Sequence, residues 1–361
     1  MNDDDKLKSI RESIDRIDAQ LQTLLNERAQ AAQEVARIKL KANPEAEFYR
    51  PEREAEVLRR VKARNQGPLD GEEIARLFRE IMSACLALEQ PLKVAFLGPD
   101  GTFTQAAALK HFGHSVLTQS MNSIGDIFRD VEAGACQYGV VPVENSTEGV
   151  ISHTLDSFIN SPLKICGEVS LRINHQLLSR EARLDQVLKV YSHAQSLAQC
   201  RGWLDRHLPH AERVPVGSNA EAARLAAEET GVAAIAGEAA GEIYQLQRLA
   251  SNIEDEPGNT TRFLVIGKQD VPPSGSDKTS LLFSTHNQSG GLHAMLTPFA
   301  EYGISMTRIE SRPSRRGRWD YVFFVDVEGH REDSELSQAL RKIEQAATQF
   351  KVLGSYPKAV L

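Results

Sequence analysis

From Asp4 to Lys41 the chain has neither proline nor glycine, and apolar or small residues recur at Leu7, Ile10, Ile14, Ile17, Leu21, Leu24, Ala31, Val35 and Ile38. This alternating spacing of three and four predicts a long amphipathic helix with a coiled-coil-like seam. Such a helix is about 50 Å long at roughly 1.5 Å per residue, too long for two short helices of one chain to cover. Its seam therefore calls for a second copy. Pro51 sits where a first-turn proline belongs and opens a helix that runs to about Asn65, before Gly67-Pro68. Asp70, with Glu73 three residues on, starts a third helix carrying Ile74, Leu77, Phe78, Ile81, Met82, Cys85 and Leu88 as far as Pro91. Residues 1–91 are predicted to form one all-helical domain.

The pattern changes at Leu92. Short strand-like runs follow at VAFLG (94–98), YGVVPV (138–143), EVSLRI (168–173), LKVYS (188–192), GVAAIA (231–236) and TRFLVIG (261–267), most of them separated by helical stretches. That order predicts a mixed, largely parallel α/β domain over 92–272. PPSGSD (272–277) reads as a linker. Beyond it, LLFST, a helix near Leu292–Tyr302, ISMTRIES, YVFFVDV, a helix near Ser334–Gln349 and KVLGSYP spell βαββαβ, a ferredoxin-like domain over 273–361.

Composition narrows the function classes. The start, MNDDDKLKSI, is acidic and lacks the apolar core of a signal peptide, and no stretch is long and apolar enough to span a bilayer. A cytoplasmic protein is expected. The formal charge of −7 argues against nucleic acid as the main partner, since phosphate neutralisation needs a basic footprint. Cys85, Cys136, Cys166 and Cys200 are widely scattered, with no metal-ligand spacing, so reduced thiols and no metal or other cofactor are expected.

Several charges sit on apolar seams. Arg28 lies between Leu24 and Ala31, where an aliphatic residue fits the pattern, and Lys39 follows three turns later on the same face. Arg11 lies about 100° round the helix from Arg28, so it could join them only from a second protomer. Glu54 on the second helix and Glu89 on the third continue apolar stripes. Each could snorkel to water. Together they suggest cations converging in a helical bundle on a small dianion, with acids beside them.

IRESIDRID, LLNERAQAAQEVARIK, FYRPEREAEVL and LFREIMSACLALEQ resemble the all-helical chorismate mutase family over most of residues 6–90. The resemblance implies that Arg11, Arg28, Lys39 and Arg53 bind the two carboxylates and that Glu54 binds a substrate hydroxyl. Glu89 and Lys39 would contact the breaking ether oxygen, and Cys85 would line the pocket where many relatives have serine. The rearrangement needs no nucleophile, only a held conformer and cations aimed at developing charge.

In the α/β domain GPDGTFT (98–104), with Thr102, follows a strand and opens a helix, as an anion cradle would. It is neither dinucleotide fingerprint nor P-loop. VPVENSTEG (141–149) supplies Glu144, Asn145 and Ser146; YSHAQSLAQC (191–200) supplies Ser192, His193 and Gln195; NTTRFLVIG (259–267) supplies Thr260, Thr261 and Arg262. Each could be a simple cap or turn. No GxSxG elbow supports a serine hydrolase. As an ordered set the motifs resemble prephenate dehydratase, which implies two lobes like those of periplasmic binding proteins with the site between them. Thr261 would then be the acid assisting departure of the ring hydroxyl and Arg262 a carboxylate partner. Glu144, Asn145, Ser146, Ser192 and His193 would line the site.

The tail resembles an ACT regulatory domain. ESRPS (310–314) matches its phenylalanine signature, and Ser289-Gly290-Gly291-Leu292-His293 stands at the companion motif. The expected regulatory residues are Gly291, Leu292, Glu310, Ser311, Arg312 and Pro313. The resemblances together imply an enzyme converting chorismate through prephenate to phenylpyruvate, inhibited by L-phenylalanine and at least a homodimer. The alternative is a non-catalytic amino-acid sensor dimerised by a coiled coil.

Overall fold

The structure is a computed structural model describing residues 3–43, 47–286, 288–313 and 321–361. The helical module is α1 (Asp3–Ala42), α2 (Pro51–Arg64) and α3 (Gly71–Glu89). Pro51 occupies the first turn of α2, and Asp70 caps α3 by accepting from the Glu73 N–H at 2.8 Å. Most of the α1 seam is open in the single chain: Ile10, Leu24 and Ile38 are 57%, 59% and 60% exposed.

The α/β module has two lobes. The first contains β1 (Lys93–Leu97), α4 (Phe103–Phe112), β2 (Leu117–Met121), α5 (Ile124–Ala133), β3 (Tyr138–Asn145), β4 (Gly149–Val150), α6 (Ser152–Asn160) and β5 (Lys164–Arg172). The second contains β6 (Gln176–Ser179), β7 (Lys189–His193), α7 (Ala194–Gln199), α8 (Arg201–His207), β8 (Glu212–Val216), α9 (Asn219–Glu228), β9 (Val232–Ala236), α10 (Glu238–Ile243) and β10 (Gln247–Ala250). The chain then returns to the first lobe as β11 (Thr260–Gly267), inserted between β3 and β5.

Parallel pairing is less extensive than the sequence pattern suggested. It holds for β2-β1-β3 and for β9-β7-β8, whereas β11 runs antiparallel to both its neighbours and β6 pairs antiparallel with β9 and β10. Strands β2, β8 and β10 were missed in the sequence because they are sheet edges. An edge strand is half exposed and needs no apolar run. Strand β6 is buried but too short to show a period.

The C-terminal module is β12 (Asp277–Ser284), α11 (Gly291–Glu301), β13 (Met306–Pro313), β14 (Tyr321–Glu328), α12 (Ser334–Ala346) and β15 (Gln349–Pro357), an antiparallel sheet in the order β13-β14-β12-β15. This is the expected ferredoxin-like arrangement. It does not hang from a linker. Leu282, Val322, Phe324, Leu353 and Tyr356 belong to the same apolar cluster as Ala95, Ile127, Phe158, Ile165 and Leu264 of the first lobe. Strand β15 approaches β5 so closely that a Cβ on Gly354 would stand 2.2 Å from the Ile165 carbonyl oxygen. Only glycine fits there.

Candidate active sites

On the helical module, Arg28 and Lys39 of α1 act electrostatically on Glu89 of α3. Arg28 and Lys39 are half-buried, and Arg28 makes no ion pair among the described residues. Burial raises the Glu89 pKa, and Lys39 and Arg28 oppose that rise. The Lys39 ammonium also donates to the Glu47 carbonyl at 3.3 Å and lies 5.5 Å from the centre of the Phe48 ring. Cys85 is a buried free thiol on α3.

Three expected members do not join this group. Arg11 is exposed and, seventeen residues before Arg28, about 26 Å away along the helix. Arg53 is exposed and pairs with Glu56 at 2.5 Å. Glu54 faces the α/β module, where its carboxylate lies 3.1 Å from Arg79 Nε, and Arg79 also donates to the Lys110 carbonyl at 2.8 Å. Helix α2 packs on α3 with this edge inward, so burial beside Arg79, rather than a substrate, sets the environment of Glu54. Its pKa is raised by that burial, against the lowering effect of Arg79.

Between the two lobes of the α/β module lies a cleft of about 500 Å³. The chain crosses between lobes twice, and His175 and Asn259 of the crossings both line it. Thr102 to Thr104 bring the N-terminus of α4, and Gly217 to Asn219 bring that of α9. Asn145, His193, Gln195 and Thr261 complete the expected part of the wall. No lysine or arginine lines the cleft among the described residues.

Thr261 is buried, and its oxygen accepts from Asn145 Nδ2 at 2.8 Å. Asn145 Nδ2 also donates to Asn259 Oδ1 at 2.8 Å, and Asn145 Oδ1 accepts from the backbone N–H groups of Thr147 and Glu148, each at 3.0 Å. Thr102 caps α4 while donating to the Leu97 carbonyl at 2.9 Å.

Other expected residues point elsewhere. Arg262, the residue after Thr261, faces the C-terminal module, with Glu168 at 2.9 Å and the Tyr356 hydroxyl at 3.0 Å. Glu144 turns the same way and meets Arg308 of β13 at 3.1 Å. Successive residues of a strand alternate faces, so Thr261 and Arg262 cannot share the cleft. On β3 the register shifts between Pro142 and Glu144, which brings Pro142 and Asn145 to one wall and leaves Glu144 outside it. Ser192 is buried against Asn219 Oδ1 and the Ile235 carbonyl, both at 2.8 Å. Ser146 accepts from the Thr260 N–H at 2.9 Å at the rim, and the Thr260 hydroxyl bonds the Gly258 carbonyl at 3.2 Å.

The sequence reading missed Asn259, Gln199 and His175. The first two lie inside motifs already singled out, one residue before Thr260 and at the end of YSHAQSLAQC. His175 carries no motif; only its place at a lobe crossing marks it.

In the C-terminal module Gly291 opens α11 after Gly290 in the left-handed region, and Leu292 packs on the module's own core. Glu310, Ser311, Arg312 and Pro313 lie on the edge strand β13; Ser314 is outside the described residues. Arg312 is committed to the first lobe rather than free for an effector, with Asp156 at 3.2 Å and the Ser152 hydroxyl at 2.8 Å.

Residues 94–271 match the prephenate dehydratase family, 10–90 chorismate mutase type II and 279–345 the ACT domain. A bifunctional chorismate mutase/prephenate dehydratase from Stutzerimonas stutzeri is 58% identical over 365 residues, covering 100% of both chains. The prephenate dehydratase of Arthrobacter aurescens, solved with L-Phe, is 32% identical with a TM-score of 0.69, covering 74% of this chain and 90% of that one. A chain described as a novel type of quorum quenching acylase, GqqA, is 29% identical at the same TM-score, covering 74% of this chain and 98% of that one.

Proposed function

Because the chain belongs to the bifunctional chorismate mutase/prephenate dehydratase family, we propose that its two sites work in sequence, each through residues that the fold gathers. The helical module rearranges chorismate to prephenate. Arg28 and Lys39 bind the substrate's charges, and Glu89 with Lys39 meets the breaking ether bond. A second protomer supplies Arg11 and covers the α1 seam. The open seam and the roughly 26 Å between Arg11 and Arg28 support that reading. Glu54 ties α2 to α3 through Arg79, and Arg53 is engaged by Glu56 on its own helix, instead of holding substrate.

Prephenate then loses carbon dioxide and water in the α/β cleft. The carbon–carboxylate bond breaks, its electron pair enters the ring, and the ring hydroxyl leaves as water after receiving a proton. Thr261 is the donor. The observation that carries this is its acceptor bond from Asn145: with its oxygen lone pair engaged, the hydroxyl proton is left to point into the cleft. Arg262 is turned away, so the substrate carboxylates fall to the N-termini of α4 and α9 and to His193. Ser192 is a poor acyl nucleophile: its buried hydroxyl meets the Asn219 Oδ1 and the Ile235 carbonyl, neither of which is a base.

L-Phenylalanine is the effector of the C-terminal module, held by Gly291, Leu292, Glu310 and Ser311, in an oligomeric cytoplasmic enzyme. No helix among the described residues is long and apolar enough to cross a membrane. The test is to supply chorismate or prephenate to the purified protein, with and without phenylalanine, and follow phenylpyruvate. No product from either substrate would leave the amino-acid sensor as the better reading.

A further inference from the structure

His175 is 1% exposed, lines the cleft, and is used by none of the steps above. One ring nitrogen lies 2.9 Å from Gln199 Oε1; the other, Nδ1, is buried without a partner. Its proton arrangement can be worked out from the far end of the polar chain to which it belongs.

Backbone N–H groups can only donate. Those of Thr147 and Glu148 both meet one side-chain atom of Asn145, so that atom is its oxygen and its nitrogen faces Thr261 and Asn259. The Asn259 atom receiving that nitrogen must be oxygen, so its nitrogen faces Gln199 at 3.3 Å. The Gln199 atom there must in turn be oxygen. A second anchor agrees: the other end of the Gln199 amide lies 3.2 Å from a carboxylate oxygen of Glu148, which only its nitrogen can satisfy. Gln199 Oε1 thus takes donors from Asn259 and His175, and His175 must donate through Nε2–H. A second proton would sit on Nδ1, buried with no acceptor.

We propose that His175 is a positioning residue of the dehydratase site: as the neutral Nε2–H tautomer it closes a one-way hydrogen-bond chain across both lobes that leaves the Thr261 proton free for substrate. The chain joins Thr261 and Asn145 of the first lobe, Asn259 and His175 of the two crossings, and Gln199 of the second lobe. Without the His175 donor the Gln199 amide is held only by the longer bonds to Asn259 at 3.3 Å and Glu148 at 3.2 Å, so it turns over more readily, which would set two nitrogens face to face at Asn259 and loosen Asn145 from Thr261. Phe103 stacks edge-on to the ring, with centroids 5.8 Å apart. The charged groups nearby are Glu254, whose carboxylate accepts the His175 backbone N–H at 2.9 Å, and Glu148 beyond Gln199. Burial lowers the pKa of the imidazole, and Gln199 and Glu254 oppose that.

This rests on the dehydratase reading, so the test separates the two. In His175→Leu, kcat on prephenate should fall by about tenfold to a hundredfold with little change in KM, the size expected of a misplaced group. His175→Gln keeps an amide N–H that can reach Gln199 and should recover most of the loss. An unchanged KM for prephenate and a wild-type thermal melt report that the α/β module of the variants is folded. In the full-length wild type labelled with nitrogen-15 at histidine, the His175 signals, assigned by their loss in His175→Gln, should show a neutral ring protonated at Nε2 near pH 7. A ring protonated at Nδ1 or at both nitrogens would overturn the proposal, as would equal losses in the Leu and Gln variants or a Leu variant within twofold of wild type. If wild-type protein failed to turn over prephenate, the dehydratase reading would fall while the tautomer measurement still judged the chain.

Discussion

Arg262 on β11 donates to Asp326 on β14 at 2.5 Å, tying the strand that carries Thr261 to the central sheet of the C-terminal module. Thr261 faces the cleft and Arg262 the other module, so one strand presents the site on one side and the effector module on the other. Asp326 also accepts from the Ser280 hydroxyl at 2.5 Å, and Glu168 adds Lys278 of β12 at 2.9 Å. The cluster is nearly dry, with the Arg262, Asp326 and Glu168 side chains 15%, 7% and 5% exposed.

Asp326→Ala should therefore cost about 3 kcal/mol of stability, because Arg262 and Lys278 are left to share the single carboxylate of Glu168 and one buried positive charge goes uncompensated. Thermal melts read that loss directly. Phenylalanine inhibition should weaken in the same variant while KM for prephenate holds. Inhibition curves matching wild type would take this cluster out of the communication between modules.

Arg28→Ala should abolish mutase activity and leave turnover of supplied prephenate largely intact. The two sites lie on separate modules, and Arg28 makes no ion pair among the described residues whose loss would unfold α1. Parallel assays on chorismate and prephenate check this. Loss of both activities in folded protein would contradict it.

Thr261→Ala should do the reverse. A positioned acid contributes about 10²–10⁴ in rate, so kcat on prephenate should drop by that order. Asn145 would also lose one acceptor while keeping Asn259 as the other, so the fold should survive. Prephenate turnover within a few fold of wild type would assign the acid elsewhere.

Glu89 predicts a pH dependence. Burial raises its pKa, so the protonated form, the one able to donate to the ether oxygen, persists above the ordinary carboxylate range. Mutase kcat/KM should be highest at acidic to neutral pH and decline as the pH rises through that raised pKa. Glu89→Gln, whose amide donates at every pH, should remove the decline. A pH–rate profile of both proteins decides it; a flat wild-type curve from about pH 5 to 9 would place Glu89 outside the chemistry.

Periodicity was enough for α1, and with Pro51 and Gly67-Pro68 bounding α2 and Asp70 starting α3 it also served for those helices and for the βαββαβ tail, because long elements with one buried face must repeat their apolar residues. The polar motifs named the cleft for a related reason: Asn145, His193 and Thr261 sit at strand ends, where sheets of this kind bind ligands. The direction of each side chain was not legible. Glu144 and Arg262 sit in the same motifs as Asn145 and Thr261, yet strand alternation and a register shift on β3 turn them to the opposite face. Glu54 is an acid on an apolar stripe whether that stripe faces substrate or another helix; only the packing of α2 on α3 pairs it with Arg79.

What the sequence determined by itself is local and additive: helices from the spacing of apolar residues, modules from changes in that spacing, and the kinds of chemical group available. Tertiary structure decided which of those groups meet. His175 and Gln199 are 24 residues apart, and Thr261 lies 116 residues from Asn145, so their contacts follow from the crossing of two lobes and from no local pattern. A hydrogen bond senses distance and direction to within tenths of an ångström. Sequence spacing carries that information only within a single helix or strand.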